Sequence, residues 1–480
     1  MLLFTDLYFW LIFVLFLTVY AKVRQCSRVA MLVYVVAFSI FFYSMSSGWY
    51  VLLLLGVALF SWLAAEKLRP SADAELADSA RMTMQRKVLL AIVIIVLLLP
   101  LLYLKYTNFF LSTLNALARS NFSVLSLALP AGISFFTFQS ISYVVDVCRG
   151  KFTLKASLLE YVFYLTFFPL IMAGPITRAH TLIPQLKDNR AVPLRTLYLG
   201  LWLVMLGLVK KCVIADYLAQ YNDWVFDDAM AYSGFECMMA ILGYASQIYC
   251  DFSGYSDLSI GIADMMGMRL SDNFSFPYRA RNLSDFWRRW HISLSSWFRD
   301  YLYIPLGGNR CSRARTYYNN IITMLVAGLW HGASMSFVLW GAIHGVGLVI
   351  YKLCRPVTAK LPDNVVMRLL GIFITFVYVA VAWVFFRSDS MSAACTLLSH
   401  AVMGFDDAYL LPFVQVRPWW TALMLLPLAM QYVSDKGFRR MQARYICMPW
   451  IFKLVLLLIV VQLVMQFRTS SVQPFIYYQF

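Results

Sequence analysis

Long apolar runs, separated by short polar stretches, make up most of this chain. Candidate membrane spans lie near residues 4–21, 29–46, 49–65, 88–104, 124–146, 157–175, 196–215, 234–264, 318–335, 337–353, 366–386, 419–434 and 451–467. A bilayer crossing takes roughly 17–25 apolar residues. Allowing for re-entrant and tilted segments, the pattern predicts an all-α integral membrane fold with about 11–13 membrane elements. No linker, low-complexity tract or soluble domain interrupts it, so residues 1–480 read as one transmembrane domain. No internal repeat stands out, which argues against the inverted-repeat transporter folds.

The least membrane-like stretch is residues 271–318, and its pattern is of another kind. Phe286, Trp290, Leu294, Trp297 and Tyr301 recur at steps of three and four, one apolar face of a helix. Ser284 is the expected N-cap, with Asp285 in the favourable first turn. Pro305 and the pair Gly307 and Gly308 are the expected end. Between residues 279 and 315 stand eight Arg and two acids, Asp285 and Asp300. Arg288, Arg289 and Arg299 lie off the apolar stripe. A Trp-rich face beside Arg describes an interfacial or re-entrant helix within the membrane domain.

Composition agrees with the bilayer reading. Apolar residues make up 61% and charged residues 13% of the chain, and mean hydropathy is +0.69. The formal net charge is +16. In a soluble protein that excess suggests nucleic acid. Here the cations sit between spans, as the positive-inside rule describes, so lipid headgroups and an anionic cytosolic substrate are the expected partners, not nucleic acid. Lys22, Arg24 and Arg28 follow the first span rather than precede it, the reverse of a secretory signal. They place the start of the chain outside, and residues 67–87 and 279–315 inside. Lys436, Arg439, Arg440 and Arg444 precede the last span and send it outward. Both termini are therefore expected outside the cytoplasm.

Five His are few enough to weigh one by one. His331 sits in Gly328-Leu329-Trp330-His331-Gly332-Ala333-Ser334, within a stretch free of charge from Thr323 to Tyr351. An ionisable side chain there is a functional candidate by default, and a helix–helix hydrogen bond is the alternative. His291 lies in the Arg/Trp segment, and a neutral imidazole near its ordinary pKa of ~6.5 suits proton abstraction from a hydroxyl. The two together line a path from the cytosolic surface inward. His344, His180 and His400 read as packing residues. Asp251 and Asp257, with Tyr255 between them, place carboxylates in a span, either in a polar network or orienting a His. The nine Cys are scattered and fit neither a disulfide framework nor zinc, and no ligand cluster suggests another metal. No H-x4-D motif, G-x-S-x-G elbow or Walker A loop is present.

The run Asp285-Phe286-Trp287-Arg288-Arg289-Trp290-His291-Ile292-Ser293-Leu294-Ser295, extended to Asn309, resembles the bacterial membrane-bound O-acyltransferase (MBOAT) family. Residues 328–334, residues 129–135 with Gln139, the Asp251 to Asp257 segment and the terminal Pro474 to Phe480 fit the same family, so the resemblance runs the length of the chain. Within the family it is most similar to the branch of the alginate O-acetylation protein AlgI and the D-alanyl transfer protein DltB. Met335 and residues 177–180 depart from that pattern. The resemblance implies a ring of tilted helices around a central tunnel, with His331 catalytic at the constriction and His291 supporting it. Arg288, Arg289, Arg299 and Trp290 become donor-binding candidates. Asp251, Asp257, Tyr255, His344 and Gln139 become tunnel or network candidates. It also implies acetyl-CoA or another acyl thioester as donor, no bound cofactor, a periplasmic SGNH-type partner, and a polysaccharide acceptor beyond the bacterial cytoplasmic (inner) membrane. D-alanyl transfer and a transporter or flippase of a lipid-linked sugar stand as alternatives.

Overall fold

A computed structural model of the chain describes residues 3–70 and 83–467. Residues 71–82 of the expected cytoplasmic stretch 67–87, and the terminal Pro474 to Phe480, lie outside the described residues. Among these residues the fold is all-helical. Eight helices are long and apolar enough to cross a membrane, and three shorter apolar helices join them: Ile133–Cys148, Met391–Met403 and Pro418–Met430. This meets the lower end of the expected number of membrane elements. The chain separates into two compact units, residues 1–201 with 259–271, and residues 202–258 with 272–480.

In the first unit, α1 (Leu7–Cys26), α2 (Arg28–Ser47), α3 (Tyr50–Leu68) and α4 (Met84–Leu101) are the spans nearest the start of the chain. Ser27 separates α1 from α2, its hydroxyl accepting from the Ala30 amide at 3.4 Å. Phe9, Phe13 and Phe16, one face of α1, pack around Phe168 with ring centroids 5.6–6.4 Å apart. Ring packing of this kind supplies van der Waals contact, one of the terms that hold helices together in lipid. Arg24 turns inward at the end of α1 and donates to the carbonyls of Asp188 and Arg190, each at 2.9 Å, and of Met266. A buried guanidinium needs such acceptors.

Two spans differ from their expected extents. The apolar run 124–146 becomes helical only at Ile133, in α5 (Ile133–Cys148). Pro130 and Gly132 delay the helix. Gly132 takes φ 70°, and a Cβ there would lie 1.9 Å from the Ile171 carbonyl oxygen. The run 157–175 breaks after α6 (Leu158–Thr166), where Phe167 leaves helical geometry and Pro169 opens a new short turn.

The second unit holds all the histidines that the sequence marks for chemistry. Gly207 and Gly254 let two helices meet closely, since a Cβ on Gly207 would lie 2.6 Å from the Gly254 carbonyl oxygen. Beyond that crossing, Lys210 pairs with Asp257 at 2.6 Å, and Lys211 pairs with Asp216 at 2.7 Å and with Asp251. The carboxylates read from the sequence thus form a polar network, with Lys partners on a π-turn, Val209–Ala215.

The segment expected as one helix from Ser284 to Pro305 is broken. It forms α7 (Leu283–Arg289), α8 (Ile292–Phe298) and a π-turn, Arg299–Tyr303. The N-cap is Asn282, not Ser284, its side-chain oxygen accepting from the Asp285 amide at 2.9 Å. Beyond it, α9 (Arg313–His331) and α10 (Met335–Thr358) form an antiparallel hairpin. Its close approach depends on glycines. A Cβ on Gly328 would lie 2.1 Å from the Phe337 carbonyl oxygen, and one on Gly341 2.4 Å from that of Met324. These are the small residues that let membrane helices pack backbone to backbone.

Gly341→Ala forces the hairpin apart and destabilises the protein by about 1–3 kcal/mol, the usual cost of overpacking. Gly56→Ala, where a Cβ meets nothing within 4 Å, has no such effect. Thermal unfolding of the two variants in detergent checks this, and equal midpoints would contradict the packing argument.

Candidate active site

One face of α9 carries Asn320, Thr323, Met324, Ala327 and His331, at helical steps of three and four. That face is a wall of a cavity of about 260 Å³. Trp287, Leu294 and Phe298 of the broken segment supply apolar lining, and Arg299, Tyr303, Asn309 and Lys352 supply polar lining. The cavity therefore joins a basic, polar region to a single imidazole. His331 is 4% exposed and stands at the last residue of α9. Its ring meets Trp340 at 5.0 Å and Phe386 at 5.3 Å, both edge-on. The glycines flanking it serve the hairpin: a Cβ on Gly332 would lie 2.0 Å from the Phe337 ring. Phe337 thus sits against the backbone on either side of His331, and the helix end that carries the imidazole is fixed.

His291 is 0% exposed and does not line this cavity. The sequence reading put it at the cytosolic surface of a continuous helix. The break between α7 and α8 turns it inward instead. Its backbone is left-handed, with φ 43°, a conformation that His tolerates better than most side chains. Its ring packs edge-on against Phe252 at 4.5 Å and lies 6.5 Å from the His331 ring, centroid to centroid. Two histidines forty residues apart in sequence are thus neighbours, one facing the cavity and one behind it.

Asn273 holds this break. Its backbone carbonyl accepts from the Ile292 amide at 3.0 Å. Its side-chain oxygen accepts from the Ser293 amide at 3.2 Å and the Ser293 hydroxyl at 3.0 Å. Its side-chain nitrogen donates to Ser256 at 3.2 Å. The first amides of α8 have no partner within their own helix, and Asn273 caps those of Ile292 and Ser293 from nineteen and twenty residues upstream. Ser275 continues the pairing, its amide donating to the Arg289 carbonyl at 3.0 Å. Nothing in the local pattern of residues 284–301 signals this, and Asn273 had no place in the sequence reading.

Arg299 lines the cavity and pairs with Asp300 at 2.9 Å. Arg288 is exposed. Arg289 pairs with Asp285 at 2.9 Å and donates to the Ser275 carbonyl, so it builds the break. Trp290 is a core residue, packed on Trp383 at 4.9 Å and Phe274 at 5.0 Å. Trp287, its neighbour three positions earlier, is the Trp that reaches the cavity. Arg279 pairs with Asp435, and Arg281 with Asp363. Hydrogen bonds from Arg368 hold the Asp363 carboxyl below its ordinary range. His344 is buried in a nest of Trp287, Trp340 and Trp383 with centroids 4.8–6.4 Å away. Asp251, Asp257 and Tyr255 are on the helix Gly234–Met265, and none of them lines the cavity. Gln139 is buried in α5, in the other unit. His180 approaches Asp146 at 3.7 Å, and His400 Nε2 lies 2.8 Å from the Tyr232 carbonyl oxygen.

Residues 153–393 match the pattern of MBOAT, the membrane-bound O-acyltransferase family. The chain is 36% identical over 390 residues to a peptidoglycan O-acetyltransferase of Helicobacter pylori, covering 76% of this chain and 72% of that one. It is 37% identical over 402 residues to the protein named Probable alginate O-acetylase AlgI of Pseudomonas putida, covering 79% and 81%. A teichoic acid D-alanyltransferase of Bacillus subtilis is 27% identical over 270 residues, covering 53% and 68%.

Asn273→Ala leaves buried donors of α8 unsatisfied, at a cost of about 1–3 kcal/mol. Amide exchange at Ser293 and its neighbours in α8 then rises by about tenfold or more, while exchange within α9 holds. Hydrogen–deuterium exchange in detergent reads both. Unchanged protection of α8 would show that Asn273 does not hold the break.

Proposed function

Since the chain belongs to the membrane-bound O-acyltransferase family, we propose that this acyltransferase moves an acetyl group from a cytosolic thioester, acetyl-CoA, towards O-acetylation of an extracytoplasmic polysaccharide. The observation that carries the reading is the cavity, which runs from basic and hydroxyl-bearing side chains to one buried imidazole. An acyl thioester has the matching shape: an anionic head, an amide-bearing arm and a reactive carbonyl at its tip. The names of the two relatives, a peptidoglycan O-acetyltransferase and a probable alginate O-acetylase, support acetyl as the group and a polysaccharide as the acceptor. The D-alanyltransferase relative is less similar and covers less of the chain, so D-alanyl transfer is the second reading. A sugar transporter needs no acyl donor, and the thioester dependence tested below separates it.

In this reading His331 accepts the proton of the attacking hydroxyl as the oxygen bonds to the thioester carbonyl carbon. The tetrahedral intermediate collapses with cleavage of the C–S bond. The imidazolium returns its proton to the departing thiolate, leaving a free thiol and an ester. The apolar lining from Trp287, Leu294 and Phe298 excludes water that would hydrolyse the thioester. His291, 6.5 Å behind His331 by ring centroids, shapes the pocket wall and the field at the reacting imidazole. The acceptor hydroxyl arrives from outside, through a periplasmic partner of the SGNH type, in keeping with the branch the chain resembles. The protein is a multi-pass membrane protein. Placement in the bacterial cytoplasmic membrane is in keeping with the branch the chain resembles, and the distribution of Lys and Arg supports an orientation with both termini outside.

His331→Ala lowers acetyl transfer by about 10²–10⁴-fold, the usual contribution of a positioned general base, while the protein still inserts and accumulates. The assay follows label from acetyl-CoA into polysaccharide in membranes that hold the native partner. Wild-type rates in the variant would remove His331 from the chemistry. Label entering only from a D-alanyl thioester would replace the acetyl reading with the second one.

A further inference from the structure

The sequence gives no hint of a role for Lys352, near the end of a long apolar helix. Its ammonium lines the same cavity as His331. It donates to the Tyr303 hydroxyl and to the Asn309 side-chain oxygen, each at 3.3 Å, and the Tyr303 hydroxyl in turn donates to Asn309 at 2.6 Å. The ammonium also lies 5.6 Å from the Tyr303 ring centroid. No carboxylate pairs with it among the described residues. An ammonium has three hydrogens, and two are directed to neutral acceptors. The third hydrogen and the whole positive charge remain for a ligand, in a cavity that also holds Arg299.

Distance fixes which anion suits this position. The hairpin register sets Met324 against Gly341 and Ile321 against Gly345, which puts Lys352 level with about Ala314. At 1.5 Å per residue the two levels, Lys352 and His331, are roughly 26 Å apart along the helix. Side chains lean towards the start of their own helix. In an antiparallel hairpin that brings Lys352 and His331 towards each other, and the gap between their nitrogens falls to roughly 20 Å. The pantetheine arm runs about fifteen bonds from a phosphate oxygen to its acyl carbon. That is the extended length of about five residues, ~17 Å. With a hydrogen-bond distance of about 3 Å at either end, the fully extended arm reaches about 23 Å, so a slightly bent arm covers the gap.

We propose that Lys352, supported by Tyr303 and Asn309, binds the phosphate at the root of a pantetheine arm and so sets how deeply the acyl group reaches towards His331. The inference rests on the thioester reading of the cavity and adds to it the group that is recognised. The same phosphate is carried by free coenzyme A and by a carrier protein's prosthetic arm, so the site by itself accepts either source. Tyr303 and Asn309 orient the ammonium, and of these three Lys352 carries the charge.

The test compares acetyl-4′-phosphopantetheine with acetylpantetheine as donors, in nanodiscs of fixed lipid composition with the native partner present. Wild-type protein prefers the phosphorylated donor in kcat/KM by about tenfold or more, as one charge-assisted hydrogen bond predicts. Lys352→Met brings the ratio close to one, Lys352→Arg keeps part of it, and the exposed Lys360→Met leaves it intact. With acetyl-CoA and an acetylated carrier protein, Lys352→Met lowers use of both by a similar factor, and the donor with the higher wild-type kcat/KM names the source. A preference that survives in Lys352→Met overturns the anchor alone. A loss equal for the phosphorylated and dephosphorylated donors also overturns it, leaving Lys352 a packing or headgroup residue. Wild-type protein that uses none of the thioesters overturns the donor reading and the anchor together.

Discussion

The second unit depends on how closely α9 and α10 approach each other. Without side chains at Gly328, Gly341 and Gly345, the two backbones pack in direct contact, and Phe337 is wedged against the residues flanking His331. Lipid offers no hydrophobic drive to bring helices together, so packing of this kind has to supply it. Everything functional in the second unit is measured from that hairpin. Its one polar helix face becomes the cavity wall, its end presents His331, and its register sets the distance to Lys352. Larger residues at those glycines would move the wall and the imidazole together.

The broken segment is the second constraint. A continuous helix through residues 284–301 would have spent its aromatic stripe on one face and left His291 on a surface. Asn273 offers the amides of α8 an alternative partner, and the chain takes a left-handed residue at His291 to accept it. Residues held in sparsely populated backbone regions cost of order 1–3 kcal/mol and persist where the surroundings over-determine them. Here the over-determination is visible in the Asn273, Ser256, Ser293 and Arg289 contacts. The result is that Trp287 reaches the cavity, Trp290 enters the core and His291 lies behind His331.

The number of membrane elements and the all-helical class were legible in the sequence because lipid burial writes itself as uninterrupted apolar runs. His331 was legible because an ionisable group in such a run stands out. The break at residues 290–291 was not legible, since its cause is a single side chain eighteen residues upstream and the apolar stripe continues across it in perfect register. Lys352 was hidden for the opposite reason. A lone Lys near a span end reads as a snorkelling anchor, and only the fold shows it beside Tyr303 and Asn309. The pairs Lys210–Asp257 and Lys211–Asp251 show a third limit. The carboxylates stand out in the sequence, but their partners do not, because two adjacent Lys at the end of an apolar run look like a span boundary. The Arg-rich run was read as one basic face, yet Arg279, Arg281, Arg289 and Arg299 all have carboxylate partners, and the charge that faces the cavity comes from Arg299 and Lys352.

An acyl thioester that occupies the cavity up to His331 must cover the face of α9 that lines it. Ala327, one turn before His331 on the cavity wall, gives the most direct measurement. In a variant whose native cysteines are replaced, Ala327→Cys is modified by a small thiol reagent, and the rate is followed with and without a non-hydrolysable thioether analogue of acetyl-CoA supplied on the cytosolic side. The analogue is expected to slow modification in proportion to its occupancy and to leave a cysteine at the exposed position 360 unaffected. Equal modification rates at position 327 with and without a saturating analogue would contradict that occupancy.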